Sequence, residues 1–344
     1  MGKRVIIFIC LVLVVLAAAF ACSAVVFSAR YDRLVQEQSS TQDEIPQLPT
    51  ELPSPQPAGE VTNMPDSALA APYLSQMTLE EKICQLLVVR PEVLAGEGTV
   101  TEFSAGFSQS LSQYPVGGLI FFSKNLNTPQ QTQGLLTSIS DAAQALTVPG
   151  LFFGVDEEGG TVSRASEIGV TAYSDMRDYG EEGDPEAAYD IGLTLGTELK
   201  DLGFNLDFAP VADVMTNEEN TVVQNRSFGS APELVSSMVA REVEGFREAG
   251  ILCAPKHFPG HGSTAGDTHE GLAASARTPE ELQKCDLLPF RSAMDANAPM
   301  IMVGHMTMEK LDPEAPASMS KKIVTELLRN ELGFRGIVIT DAVD

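Results

Sequence analysis

Short apolar runs that alternate with longer helical stretches limit most strongly what this chain can fold into. Seven runs rich in β-branched or aromatic residues indicate strands, at residues 83–89, 118–122, 151–155, 204–208, 251–257, 300–304 and 336–340. Stretches with helical spacing separate them, at residues 128–145, 185–202, 231–249, 279–296 and 321–332. Because apolar strands that alternate with helices usually form a parallel sheet covered by those helices, the pattern predicts an α/β fold.

Polar residues follow one predicted strand after another, and this distinguishes a barrel from an open sheet. They are Asp156, Asp207, Asp213, Lys256, His257, His305 and Asp341. An open sheet concentrates its ligand groups at one switch point, whereas a barrel of the TIM type builds its site from the ends of many strands. We therefore predict a (β/α)8 barrel. The seven strands use up the 344 residues, so we expect an incomplete barrel with about seven of eight β/α units, truncated at its C-terminus.

Two segments precede the globular part. Residues 1–30 carry Lys3 and Arg4 before an apolar run over 5–27 that is long enough to span a bilayer. The basic flank predicts that the rest of the chain lies outside the cytoplasm. An uncleaved anchor, a cleaved signal peptide and lipid attachment at Cys22 are the three alternatives. Residues 31–71, rich in Pro, Ser, Thr and acids, indicate an extended linker, and residues 72–344 form the globular domain.

The charge of the chain restricts its partners. Asp and Glu number 47 against 22 Lys and Arg, which gives a formal net charge of -25. Such a field repels a polyanion, and no Lys/Arg-rich run follows residue 5. We therefore expect no nucleic-acid partner.

Three of the four histidines lie in one Gly- and Pro-rich segment, residues 255–271. Backbone of this composition forms an ordered loop rather than a long helix or a central strand. His257, His261, Asp267 and His269 have the donor types of a zinc site, but no His-Glu-x-x-His helix or paired-Cys motif accompanies them. We expect neither a metal nor another cofactor.

Several motifs together resemble one enzyme family. In chain order they are Gly-Val-Asp-Glu-Glu-Gly-Gly at 154–160 with Arg164, Phe-Ala-Pro-Val-Ala-Asp-Val at 208–214, Asn-Arg-Ser-Phe-Gly at 225–229, Lys-His-Phe-Pro-Gly-His-Gly at 256–262, Gly-Asp-Thr-His at 266–269 and Ile-Thr-Asp at 339–341. The set resembles the β-N-acetylglucosaminidases of glycoside hydrolase family 3. The resemblance covers roughly residues 73–344.

This resemblance implies roles for individual residues. Asp341 matches the family's nucleophile, His269 its general acid/base and Asp267 the carboxylate that orients His269. An imidazole with a pKa near 6.5 exchanges protons readily at neutral pH, which suits that second role. The positions that match sugar-binding residues are Asp156, Arg164, Arg226, Lys256 and His257. For Asp207 and Asp213 two roles stay open: direct contact with the sugar, or pairing with the cationic side chains that bind it. We expect His261 to brace the loop rather than to contact the sugar.

The function that the resemblance implies is that of a monomeric, retaining exo-β-N-acetylglucosaminidase. It would remove terminal N-acetylglucosamine, with peptidoglycan fragments as the expected carbohydrate partner, from a position attached to the outer side of a bacterial cell membrane. Two alternatives stay open. The first is a family 3 β-glucosidase, and the second is a non-catalytic sugar-binding lipoprotein at the cell surface.

Overall fold

A computed structural model describes residues 67–96, 98–146, 148–264 and 273–343. The apolar run at 5–27 and residues 31–66 of the predicted linker lie outside this part of the chain. So does the predicted pair formed by Asp267 and His269.

Nine strands and a set of helices make up the described residues. The strands are β1 (Val88–Val89), β2 (Gly118–Phe121), β3 (Phe152–Val155), β4 (Leu206–Asp207), β5 (Leu252–Cys253), β6 (Ala274–Ser275), β7 (Met300–Val303), β8 (Thr307–Met308) and β9 (Ile337–Thr340). The α-helices are Ser67–Gln76, Leu79–Cys84, Pro91–Ala95, Ala105–Gln113, Pro129–Gln144, Met176–Glu182, Pro185–Leu202, Pro232–Ala249, Pro279–Lys284 and Leu288–Asp295. A wider π-type helix spans Lys322–Glu331.

The main strands succeed one another in chain order, and all of them are parallel. β1 to β5 form one sheet in the order β1-β2-β3-β4-β5, and β7 pairs with β9. Backbone hydrogen bonds join the two groups, because Met302 donates to the Pro255 carbonyl at 3.0 Å and Phe258 donates to the Met302 carbonyl at 2.8 Å. β6 and β8 form a separate two-stranded ribbon. All seven strands of the predicted α/β pattern are therefore present in one parallel succession.

Two apolar layers show that this succession curves around an interior. Leu206, Phe208, Ala254, Met300 and Met302 form a buried inner cluster, against which Val88, Ile120, Phe152, Leu252 and Ile339 pack. Its members come from the first strand to the last, so their inward side chains meet across a common centre. A second, larger cluster lies between the strands and the helices. This two-layer arrangement is that of a TIM-type α/β barrel wall.

The two ends of the succession differ from its middle. Within the described ranges, β1 pairs with β2 alone and β9 with β7 alone, so the structure shows no pairing that closes the wall. Apolar side chains remain exposed at both edges: Leu87 is 45% exposed and Ile337 is 43% exposed. None of the helices in these ranges combines the length and the apolar character that a bilayer crossing requires.

Helix limits follow local capping chemistry. Thr128 and Asp184 accept hydrogen bonds from the first-turn amides of their helices, and a proline follows each of them at the first helical position. Gly203 and Gly250 end their helices in left-handed conformation, at φ of 102° and 76°. The helix Pro185–Leu202 accordingly has the bounds that the sequence predicts.

Strands β4 and β5 are shorter than the runs predicted at 204–208 and 251–257, and three other segments differ from prediction. The strand predicted over 83–89 is confined to β1, because a capping box between Thr78 and Glu81 begins a helix that continues to Cys84. The helix predicted over 279–296 is two helices, and Pro289, which lacks an amide hydrogen, lies in the first turn of the second. Among the described residues the first helix begins at Ser67, within the predicted linker, because Ala and Leu there have high helix propensity.

Candidate functional site

The carboxyl ends of the strands bring the predicted sugar-binding residues together. Asp156 follows β3, Lys256 and His257 follow β5, and Asp341 follows β9. Arg226 lies in the long connection between β4 and the helix Pro232–Ala249. Because the strands are parallel, these chain positions meet at one edge of the barrel wall.

Three of these side chains, Asp156, Lys256 and Arg226, form a continuous ionic cluster with Glu158. The Nζ atom of Lys256 lies 2.7 Å from Oδ1 of Asp156 and 2.6 Å from Oε1 of Glu158. The guanidinium of Arg226 donates two hydrogen bonds to Glu158, from Nε and Nη2, each at 2.7 Å. One buried carboxylate therefore binds both cations, and Asp156 binds Lys256 from its other side.

Burial and charge act in opposite directions on Glu158. Only 2% of the residue is exposed, and burial by itself raises the pKa of its carboxyl. The positive charges of Lys256 and Arg226 outweigh that effect and lower the pKa to about 2. For Lys256, burial lowers the pKa, but the charges of Asp156 and Glu158 prevail and raise it. Glu158, Lys256 and Arg226 are therefore charged at neutral pH.

Asp213 organises the histidine loop. Its Oδ2 lies 2.7 Å from Nδ1 of His257, and its Oδ1 accepts the backbone amide of His261 at 2.6 Å. A carboxylate only accepts hydrogen bonds, so the Nδ1 of His257 carries a hydrogen and its Nε2 faces Nη2 of Arg226 at 3.5 Å. His261 contacts Thr264 and Asn220 and is 2% exposed, which is the bracing role predicted for it.

Asp341 is held at the end of β9 by His305. The Nε2 of His305 donates to the carbonyls of Asp341 and Ala342 at 3.1 and 2.9 Å, while its Nδ1 lies 2.7 Å from the hydroxyl of Ser318. Burial raises the pKa of the Asp341 carboxyl, but the charges of His257, Lys256 and His305 and the Ala342 amide outweigh it and hold the pKa below its usual range. Asp341 is thus an anion close to the cluster.

Arg164 lies outside the ionic cluster. Its guanidinium carbon is 5.8 Å from the ring centroid of Phe122, at the end of β2, and its buried Nε has no hydrogen-bond partner among the described residues. Glu157 fixes its backbone, because Oε2 of Glu157 accepts the amides of Arg164 and Ala165, each at 2.7 Å. Asp207 in turn accepts the amide of Glu157 at 2.9 Å. Asp207 therefore supports the β3 loop rather than pairing with a cation by hydrogen bond.

Buried carboxyls surround this loop. Burial raises the pKa of Glu157, and it raises the pKa of Asp207 well above the usual range. One oxygen of each lacks a hydrogen-bond partner among the described residues. Burial therefore favours the neutral, protonated form of each carboxyl over the charged form.

The sequence interpretation missed Glu158, although a signal was present. Asp156 and Glu158 are two positions apart directly after β3, and residues at this spacing on a strand point to the same side. That rule places Glu158 beside Asp156 and therefore beside whatever Asp156 binds.

A metal ion is the remaining alternative for the histidine segment. Among residues 67–96, 98–146, 148–264 and 273–343, no three His, Cys, Asp or Glu side chains are grouped to hold a metal. The Nδ1 atoms of His257 and His261 face Asp213 and Thr264 respectively. The other two donors considered, Asp267 and His269, lie outside the described residues.

Fold and site together define a barrel-type α/β domain in which charged side chains form a cluster at the carboxyl ends of the strands. Residues 78–344 match the N-terminal domain of glycosyl hydrolase family 3, and the chain belongs to that family.

Known relatives agree with this membership. The chain is 36% identical over 262 residues to beta-hexosaminidase A of Pseudoalteromonas piscicida, a match that covers 71% of this chain and 44% of that protein. It is 34% identical over 327 residues to the beta-hexosaminidase LpqI of Mycobacterium tuberculosis, covering 93% of this chain and 76% of that one. The chain thus spans less than half the length of the first relative.

A solved structure shares the fold. It is a family 3 beta-N-acetylglucosaminidase from Paenibacillus sp. str. FPU-7, with a TM-score of 0.72 and 35% sequence identity. The match covers 77% of this chain and 49% of that one.

Proposed function

We propose that this chain carries the catalytic barrel domain of a retaining exo-β-N-acetylglucosaminidase. The observation that carries the proposal is the cluster of Lys256, Arg226, Asp156 and Glu158 beside Asp341 at the strand ends. Charged donors and acceptors at fixed positions suit a ligand covered with hydroxyl groups. Relatives named beta-hexosaminidase support the choice of N-acetylhexosamine.

The proposed reaction is a double displacement. An oxygen of the Asp341 carboxylate forms a bond to the anomeric carbon while the bond to the leaving oxygen breaks, and His269 gives that oxygen a proton. In the second step His269 takes a proton from water, the water oxygen bonds to the anomeric carbon, and the bond to Asp341 breaks. Asp267 orients His269 throughout. The roles of Asp267 and His269 rest on the family resemblance.

The remaining predicted residues take binding roles. Lys256, His257 and Asp156 supply charged or neutral hydrogen-bonding groups to the hydroxyls of the terminal sugar. Arg226 and Arg164 reach it from the loops after β4 and β3. The lowered pKa of Asp341 keeps the nucleophile ionised at neutral pH.

The setting that we propose is the outer side of a bacterial membrane. The segment 1–30, as an anchor or through a lipid on Cys22, holds the domain there, and residues 31–66 separate it from the bilayer. Peptidoglycan fragments are the substrate we propose for a monomeric enzyme at this place. Membrane fractionation of cells that express the wild-type chain and the variant Cys22→Ser tests the attachment, since a shift of the variant to the soluble fraction identifies lipidation.

Paired substrates test the activity. The chain is incubated with the 4-nitrophenyl glycosides of N-acetyl-β-glucosamine and of β-glucose, and kcat/KM is compared. We expect release from the first substrate and much less from the second. A preference for the glucoside identifies a β-glucosidase. Absence of turnover with both, together with calorimetric binding of N-acetylglucosamine, identifies a sugar-binding protein instead.

Two further measurements refine the assignment. NMR of the first product formed shows whether the anomeric configuration is retained, and an inverted product would contradict a covalent intermediate on Asp341. Incubation with purified peptidoglycan fragments, followed by mass spectrometry, tests the natural substrate. Loss of one terminal N-acetylhexosamine per fragment is the expected result.

A further inference from the structure

We propose that Glu158 is a positioning residue that holds Lys256 and Arg226 as one unit and makes the site select neutral sugars over anionic ones. This inference rests on the proposed function, because it concerns the same sugar site. Glu158 itself is 2% exposed and binds both cations.

The first argument is geometric. Lys256 and Arg226 belong to different loops, and Glu158 belongs to a third. Oε1 of Glu158 lies 2.6 Å from Lys256 Nζ and 2.7 Å from Arg226 Nη2, while Oε2 accepts Arg226 Nε at 2.7 Å. Both long, flexible side chains are therefore fixed by one rigidly buried carboxylate. Fixing them in advance removes an entropy cost that ligand binding would otherwise carry.

The second argument concerns charge. Lys256 and Arg226 contribute two positive charges, and Asp156 and Glu158 contribute two negative ones. Asp213 and Asp341 lie next to this balanced set and add two negative charges, which at least equal the positive charges that protonated His257 and His305 add. The site as a whole therefore does not attract an anion.

The third argument is that Glu158 occupies the place of an anionic ligand. A guanidinium binds carboxylates and phosphates through two parallel hydrogen bonds. In this structure Glu158 already accepts both of those bonds from Arg226. A carboxylate or phosphate on a substrate would have to compete with a buried internal carboxylate for the same donors.

The experiment compares wild type with Glu158→Gln and Glu158→Asp in the full chain. Binding of N-acetylglucosamine and of N-acetylglucosamine 6-phosphate is measured by calorimetry, and KM and kcat are measured with the 4-nitrophenyl N-acetyl-β-glucosaminide. Glu186→Gln is the matched control, because Glu186 forms an ion pair with Arg241 on the surface, with its side chain 68% exposed. We expect that control to behave as wild type.

The two variants separate position from charge. Glu158→Gln removes the negative charge, so we expect weaker binding of the neutral sugar by about tenfold, the size of a lost charge-assisted hydrogen bond. We also expect the preference for neutral over phosphorylated sugar to fall by about the same factor, and the change to shrink with added salt. Glu158→Asp keeps the charge on a shorter side chain, so KM rises while the preference is retained. A residue with a purely structural role would not change charge selectivity in only one of the two variants.

Several results would overturn the inference. A folded Glu158→Gln variant with wild-type KM and wild-type selectivity does so while leaving the proposed function intact. If Glu158→Gln does not fold, a wild-type KM in Glu158→Asp also overturns the inference and leaves the proposed function intact. If the wild-type chain binds neither sugar, the proposed function fails and this inference fails with it.

Discussion

Nδ1 of His257 and Oδ2 of Asp213 are 2.7 Å apart, and the other oxygen of that carboxylate accepts the backbone amide of His261. One carboxylate thereby connects the ring of a sugar-binding candidate to the backbone four residues further along. The loop continues from there towards Asp267 and His269, the two residues proposed for proton transfer. The geometry of sugar binding and the course of the loop therefore depend on the same residue.

Asp213→Asn is expected to lower both stability and activity. An amide has one accepting oxygen, so it cannot accept from His257 Nδ1 and from the His261 amide as the carboxylate does. We expect a loss of about 1–3 kcal/mol in the free energy of unfolding, the cost of an unsatisfied buried group. Urea denaturation measures this loss, and kcat/KM for the N-acetylglucosaminide should fall as well.

Asp201→Asn provides the comparison, because Asp201 is an exposed aspartate far from the loop in the chain. That variant should remain within about 0.5 kcal/mol of wild type. Equal stability of the two variants would contradict the role assigned to Asp213.

Removal of the proposed nucleophile should abolish hydrolysis, and azide should restore turnover. In Asp341→Ala the small anion can occupy the vacated position and form the bond to the anomeric carbon from the same side. The product should be a glycosyl azide of inverted configuration, which NMR identifies. Near wild-type hydrolysis in Asp341→Ala would show that another residue is the nucleophile.

His269→Ala tests the second catalytic role separately. Loss of general acid catalysis is expected to lower turnover by about 10²–10⁴-fold for a substrate with a poor leaving group. The loss should be smaller for the 4-nitrophenyl glycoside, whose leaving group needs less protonation. An equal loss with both substrates would contradict proton donation by His269.

Lys256→Met should shift the acid limb of the pH profile of kcat/KM to higher pH. The charges of His257 and Lys256 lower the pKa of Asp341, so its nucleophilic form persists at acidic pH in wild type. Without Lys256 the pKa rises, and kcat/KM should begin to decline at a higher pH than in wild type. Lys284→Met, at an exposed lysine on a remote helix, should leave the profile unchanged. An unshifted limb in Lys256→Met would show that Asp341 does not control it.

Asp286→Asn should flatten the pH dependence of stability. Burial raises the pKa of Asp286 from 3.8 to about 6, because the nearby Arg277, whose Nε is 3.2 Å from Oδ2, offsets burial only in part. The stability contribution of the protonated carboxyl is present below pH 3.8 and is lost as the pH rises towards 6. The loss is on the order of 3 kcal/mol, and urea unfolding between pH 4 and 7 should show a smaller decline in the variant. Identical slopes in both proteins would contradict this raised pKa.

Gly262→Ala should displace the histidine loop. A Cβ atom at this position would lie 2.0 Å from the Val214 carbonyl oxygen, a distance that backbone atoms cannot tolerate. We expect destabilisation of about 1–3 kcal/mol and a loss of activity, measured by thermal unfolding and kcat/KM. Gly134→Ala is the control, since that helical glycine has open space around it and alanine favours helix by about 0.5–1 kcal/mol. A stable, active Gly262→Ala would show that the loop can yield there.

Much of the fold could be predicted because its signals are local. Apolar periodicity marked all seven strands of the parallel succession, and capping residues such as Thr128 and Asp184 marked helix starts. Short helices such as Pro91–Ala95 and Met176–Glu182 were missed, since five to seven residues carry too little periodicity. The apolar pattern over 279–296 predicted a single helix that contained Pro289. In the structure this proline lies in the first turn of a second, separate helix.

The sequence by itself determined which chemical groups reach the strand ends, because the residue after each apolar run is read directly from the chain. Only the tertiary structure decided which of those groups are partners. Lys256 and Asp156 are 100 positions apart, and Arg226 and Glu158 are 68 apart. Periodicity and capping act over a few residues, whereas these contacts depend on how a parallel barrel wall brings distant loops to one edge. For that reason the spacing in the sequence places Glu158 beside Asp156, but only the folded chain shows that this one acid among 47 binds both Lys256 and Arg226.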